Sequence, residues 1–147
     1  MGAMLGGMQD FELRVPRLID HAEREHGSRE IVSWWADGTL TRTDWAGIAR
    51  DSRKLAQALE RLGVRRGDRV GTLAMNHARH LVAWYGVIGM GAILHTLNPR
   101  LFDDQLAFIA NHAEDKVLLY DAAFAPIVER LKPHWTSIEH FICFDPP

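Results

Sequence analysis

Apolar positions along this chain recur at two periods. From Trp45 to Leu62 the spacing is helical: Trp45, Ile48, Ala49, Ser52, Leu55, Ala56, Leu59 and Leu62 share a face, while Asp51, Arg53, Lys54, Glu60 and Arg61 turn elsewhere. Thr43 is placed to cap this helix and Gly63 to end it. An earlier helix opens at Pro16, where a missing N–H costs nothing, sets Leu18, Ile19 and Ala22 on one side, and stops with Gly27 at C′. Between the two, Glu30–Trp35 and Leu40–Trp45 are rich in strand formers and are separated by Ala36-Asp37-Gly38-Thr39. An Asp-Gly pair between such runs predicts a hairpin.

Downstream, short apolar runs alternate with helical ones. Arg69–Met75, Ala92–Leu97, Lys116–Tyr120 and Glu139–Phe144 read as strands. His80–Met90 is apolar almost all round, which predicts a helix buried between layers, and its glycines Gly86, Gly89 and Gly91 predict close backbone approach or termination. A short helix starts near Asp103 with Leu106, Phe108, Ile109 and Ala113 partly inward. Another carries Phe124, Ile127, Val128 and Leu131 and closes at Pro133. Strands joined by crossover helices run parallel in one sheet, with right-handed connections. The expected fold is α/β: a layered parallel sheet with flanking helices and an N-terminal β-hairpin.

Composition narrows the function classes. The 147 residues are a single-domain length, enough to bury about 68–70% of the unfolded surface without a staple. Hydrophobic residues at 47% and charged residues at 24% exclude disordered, collagen-like and coiled-coil chains. A net charge of −2 leaves no cationic surplus for counterion release, so nucleic acid is not an expected partner. The single cysteine, Cys143, excludes a disulfide framework and a Cys-rich zinc site, and fits a reducing, cytoplasmic setting. No run is long and apolar enough to span a bilayer, and the start lacks a secretory pattern.

The candidate chemistry is sparse. No G-x-S-x-G elbow, G-x-G-x-x-G turn or P-loop occurs, and the glycines of Gly86–Gly91 close a helix, whereas a phosphate cradle opens one. His77 and His80 share a helix face but lack a third ligand, so they read as a polar pair at a helix start. Asp103 and Asp104 read as capping residues, Asp121 as a cap, Trp34-Trp35 as hairpin packing, and Cys143 as a buried small hydrophobe. His95 stands out, inside an apolar strand and followed by Thr96, Leu97, Asn98, Pro99 and Arg100. Polar groups at the carboxyl ends of parallel strands are where open α/β sheets bind ligands. A hydrogen-bonded core histidine beside an ordinary turn is the competing reading. From the residues alone this is an α/β domain without a complete active site.

The blocks IDHAEREHGSREIVS, LTRTDW and LAQALERLGVRRGDRVGTLAMNHARHLVAWYGVIGMGAILHTLNPRLFDDQLAFIANHAEDKVLLYD resemble, in order, the N-terminal part of adenylate-forming (AMP-binding) acyl-CoA ligases. Within that superfamily the resemblance is to medium- and long-chain fatty-acyl-CoA ligases, including the methylmercaptopropionate-CoA ligase type. It extends from about Met8 to Phe144, with Met75 as a departure where an aromatic is expected before the asparagine. The resemblance implies an enzyme that joins a fatty or other small carboxylic acid to ATP with magnesium, then passes the acyl group to coenzyme A. It also implies that the phosphate loop, the nucleotide contacts, the magnesium-binding Glu and the C-terminal Lys have no counterpart here. The expectation is therefore a partial N-terminal domain over residues 9–147, preceded by a tag or disordered start at 1–8, and inactive alone. His95, Asn98 and Arg100 are the expected residues near the acyl or pantetheine passage. An uncovered sheet edge predicts homo-oligomer formation. The rivals are a non-catalytic α/β interaction or nucleotide-binding module and, more weakly, a flavodoxin-like regulator.

Overall fold

Helix α1 (Pro16–His26) begins on a proline and lays Ile19 against Ile48 and Ala49 of α2 (Trp45–Arg61). These elements belong to a computed structural model that describes residues 6–7, 11–35 and 37–144. The expected start at residues 1–8, apart from Gly6 and Gly7, therefore lies outside the described residues, as do Ala36 of the hairpin turn and Asp145–Pro147. The hairpin is formed by β1 (Glu30–Trp34) and β2 (Leu40–Asp44), antiparallel with Ser33 opposite Thr41. Its turn takes Gly38 through φ +86°, a conformation that glycine adopts without steric cost.

Helix α2 is capped by Asp44, whose Oδ1 accepts the Gly47 N–H at 2.7 Å. The cap falls one residue after the expected Thr43: both residues are still paired in the hairpin, Thr43 with Ile31 and Asp44 with Glu30, and Asp44 is the last extended residue before the helix, at φ −136° and ψ 175°. The other end closes as expected: Gly63 at φ +87° lets its N–H reach Glu60 O and the Val64 N–H reach Leu59 O. Gly27 differs from expectation. It stays right-handed at φ −50°, because the chain leaves α1 through one more turn that offers the Gly27 carbonyl to the Ala46 N–H.

The main sheet has the order β4 (Ile93–Thr96), β3 (Arg69–Leu73), β5 (Asp115–Asp121), β6 (His140–Phe144), all parallel. Among the described residues, strands β4 and β6 each pair on one side only. Helices α4 (Asp103–Ala113) and α5 (Ala125–Leu131) cover one face, where Leu73, Leu97, Leu106, Leu118, Val128 and Leu131 are buried together. Helices α2 and α3 (Ala78–Gly89) cover the other, over Val70, Val117, Leu119, Ala83 and Val87. The α2–α3 contact is close because Gly86 has no side chain: a Cβ there would stand 2.8 Å from the Ser52 carbonyl oxygen. Ser52 in turn donates its hydroxyl to Val82 O at 3.1 Å.

Three burial expectations are corrected. Helix α3 is not buried all round: α1, α2, the hairpin and β4 all touch it, yet they leave Trp84 exposed and Leu81 and Tyr85 half-covered. Phe108 points outward and stacks on His112, since α4 has a neighbour on its inner side only. Cys143 is exposed, because β6 is an edge strand. The expected caps Asp103 and Asp121 also have other duties. Asp103 forms an ion pair with Arg130, and the Gln105 side chain accepts the Phe102 N–H at the start of α4. Among the described residues no helix is long and apolar enough to cross a membrane.

Candidate functional site

Parallel strands deliver their carboxyl ends to one edge of a sheet, and the polar residues that follow them meet there. In this chain β3 runs into Met75-Asn76-His77, β4 into Leu97-Asn98, and β5 ends on Asp121. The hairpin and the start of α3 close over this edge. Between them opens a cleft of about 550 Å³, lined by Ile31, Leu81, Trp84 and Tyr85 and by the polar side chains of Ser33, Asn76, His80 and Thr96. The size lies within the range of small-molecule sites.

The cleft is anchored by buried polar groups. Asp121 accepts the Met75 N–H at 2.7 Å and the His77 Nε2–H at 2.7 Å. His77 also caps α3, accepting the His80 N–H at Nδ1 (3.2 Å), and its ring stacks on Trp35 at 4.2 Å between centroids. Trp35 is held by its own Nε1–H, which donates to Thr41 Oγ1 at 2.8 Å. Ser33 Oγ accepts the Ala78 N–H at 2.8 Å, a second tie from hairpin to helix. His80 donates to the Met75 carbonyl (3.0 Å) and accepts from Thr72 Oγ1 (3.1 Å). Burial holds His80 below the usual histidine range, because an imidazolium there loses hydration. Every ring nitrogen of His77 and His80 is thus engaged in a hydrogen bond.

The residues expected from sequence are distributed otherwise. His95 faces the α4–α5 side of the sheet, where its Nδ1 lies 2.8 Å from Oδ2 of the fully buried Asp115. Register explains the direction: Gly71 pairs with His95 and leaves room for the Asp115 carboxylate, while the next pair, Thr72 and Thr96, points toward the cleft. Burial raises the Asp115 carboxyl above its ordinary range, opposed by the hydrogen bond from His95 and the nearby charge of Arg69. Asn98 and Arg100 are exposed and joined locally, with Asn98 Oδ1 accepting the Arg100 N–H at 3.0 Å. The structure therefore brings Asn98 and Arg100 together and turns His95 to the opposite face from the cleft. His77, Asp121 and Trp35 were not among the expected site residues. The strand-end rule that singles out His95 also applies to the ends of β3 and β5, and would have found the first two. Trp34-Trp35 divides: Trp35 packs and Trp34 is exposed.

Among the described residues no three His, Cys, Asp or Glu side chains gather as a metal site. The Gly86–Gly91 stretch ends α3 ahead of β4 and presents no helix N-terminus to a phosphate. These residues do not fit the grip of a magnesium triphosphate, so no nucleotide step is assigned to them.

Comparison with known proteins is consistent along the chain. The sequence signature of the family described as "AMP-binding enzyme" matches residues 19–145. The 3-methylmercaptopropionyl-CoA ligase of Ruegeria lacuscaerulensis is 48% identical over 143 residues, covering 97% of this chain and 26% of that protein. The long-chain-fatty-acid–CoA ligase of Thermus thermophilus is 43% identical over 145 residues, covering 99% of this chain and 27% of its own length. The medium-chain-fatty-acid–CoA ligase of Ectopseudomonas oleovorans is 42% identical over 139 residues, covering 95% and 26%. The chain thus spans about a quarter of the length of these relatives. Among solved structures, a fatty acyl CoA synthetase from Mycobacterium tuberculosis superposes with TM-score 0.78 at 22% identity, over 90% of this chain and 26% of that one. An anthranilate CoA ligase in complex with anthranoyl-AMP gives 0.80 at 20% identity, over 93% and 27%. At such identities these two matches show the fold.

Proposed function

We propose, from the premise that this chain belongs to the AMP-binding enzyme family, that it serves as the N-terminal part of an ATP-dependent acyl-CoA ligase. The reaction is adenylation of a fatty or other small carboxylic acid, with magnesium, followed by transfer of the acyl group to the thiol of coenzyme A. The observation that carries this reading is the 42–48% identity to three such ligases over 95–99% of the chain. In it, residues 9–147 form a partial N-terminal domain. His95, Asn98 and Arg100 lie near the acyl or pantetheine passage, supported by their place at the carboxyl end of β4.

The 147 residues alone are expected to lack adenylation activity. Charge building on a transferring phosphate needs an oriented array of donors, and these residues do not fit that task. ATP–pyrophosphate exchange is the test. The 147-residue chain should show none, while the same sequence within a polypeptide of the relatives' length should show it with a carboxylic acid present. Robust exchange by the short chain overturns the proposal. In the longer polypeptide, Ala replacement of His95, Asn98 or Arg100 should alter acyl-acid or coenzyme A kinetics, and unchanged values for all three remove them from the passage.

A further inference from the structure

The loop from β3 into α3 is held by two imidazoles, and each uses a lone pair to hold it. Backbone N–H groups only donate, and carbonyl and carboxylate oxygens only accept, so the partners assign the ring protons. His77 accepts the His80 N–H at Nδ1, so its proton sits on Nε2, facing Asp121. His80 gives its Nδ1–H to the Met75 carbonyl, which leaves Nε2 to accept from the Thr72 hydroxyl. Both rings are neutral in this arrangement.

A proton added to His77 has one place to go. It lands on Nδ1 and sets a donor against the His80 N–H, which breaks the cap of α3. Asp121, on the other nitrogen, then faces an imidazolium and keeps the ring in place. Few charged or titratable groups face the pair. Asp121 comes from β5, and His80 comes from α3. Arg79, also from α3, stands with its guanidinium 5.3 Å from the Trp35 ring that covers His77. Trp35 and Phe144 meet the His77 ring, Thr72 meets His80, and the cleft beside them carries Ser33, Thr96 and Tyr85, none of which titrates near neutrality. Ser33 keeps the Ala78 N–H in either state, so the loss is confined to the His77–His80 bond.

We propose that His77 is an acid-operated cap: proton uptake at Nδ1 releases the His80 N–H in the first turn of α3 while the ring stays on Asp121, loosening the wall that α3 contributes to the cleft at that point. The inference concerns the same cleft but does not rest on the ligase reading, and its readouts need no substrate, so either can fail alone.

The test uses the 147-residue chain with 15N-labelled histidine, taken from about pH 8 to about pH 5. The His77 Nδ1 resonance should move from that of an acceptor to that of a protonated nitrogen. Over the same range the His80 amide, corrected for its intrinsic exchange rate, should lose about tenfold in protection. Trp35 emission, isolated as the difference from Trp35→Phe, should be quenched with the same midpoint. His77→Asn offers an amide oxygen in place of Nδ1 and keeps a cap that does not titrate, so its His80 protection should be flat with pH. Flat protection in the parent chain, a fall in protection while Nδ1 stays unprotonated, or an equal fall in His77→Asn would each overturn the proposal. If His77→Asn does not fold, the parent chain decides: coincident ring and exchange midpoints support the cap, and separated midpoints overturn it.

Discussion

Strand β5 begins and ends on a buried aspartate, each facing a histidine, and the two pairs do different work. At the carboxyl end, Asp121 takes two N–H donors from one loop, and its histidine is enclosed by Trp35 and Phe144. At the amino end, Asp115 is wholly buried, but its partner His95 keeps about a quarter of its side chain in solvent, 28%. The first pair joins the hairpin, β3, α3 and β6 around one carboxylate. The second joins β4 to β5 on the opposite face and has water at its outer side. The same two residue types thus serve as a hub in one place and as a peripheral clasp in the other. Solvent access decides which.

The sharpest way to break this comparison is Asp121→Ala. It leaves the Met75 and His77 donors buried without an acceptor, the situation in which removing one partner costs most. Urea unfolding should show a loss of about 3 kcal/mol, from the principle that a broken buried pair costs several. A loss near zero would mean that water replaces the carboxylate and that the hub is no more enclosed than the clasp.

Asp115→Ala should cost less, about 1 kcal/mol, because His95 can turn its nitrogen to water and Arg69 retains Glu114 as an ion-pair partner. The burial that raises the Asp115 carboxyl is relieved at the same time. The same unfolding measurement checks it. A cost equal to that of Asp121→Ala would erase the distinction between the two ends.

How much of this was legible beforehand depends on the range of the interaction. The hairpin could be read from Asp37-Gly38, and the strand–helix alternation from apolar runs bounded by Gly and Pro, because those preferences act within a few residues. Gly63 and Gly91 were readable as helix stops for the same reason. The pairing of His77 with Asp121 bridges 44 residues and exists only once β3 and β5 are neighbours. Nothing local encodes the order β4-β3-β5-β6. His95 was found because one apolar strand advertised it, but its direction follows from register, which leaves the Gly71 side open for Asp115. Phe108 and Cys143 were misjudged because an apolar position is buried only where a neighbouring element covers it.

The smallest effect is also the one whose sign is least expected. An unfolded histidine takes up its proton near pH 6.5, while folded His80 resists it through burial. Below that pH the unfolded chain binds the extra proton, so stability falls as pH drops, until the lowered folded pKa is passed. Asp115 acts in reverse. Its ordinary value is 3.8, and burial raises it, so just above 3.8 the folded carboxyl keeps a proton that the unfolded one has released. Stability there falls as pH rises. His80, beside the hub, and Asp115, in the clasp, therefore tilt the acid limb of the stability profile in opposite directions. Unfolding midpoints measured against pH should show His80→Gln flattening the decline just below 6.5. Asp115→Asn should make the decline toward acid steeper just above 3.8. If Asp115→Asn flattens that stretch instead, the buried carboxylate at the start of β5 is stabilised by His95 and Arg69 more than burial penalises it, and the two ends of the strand are alike after all.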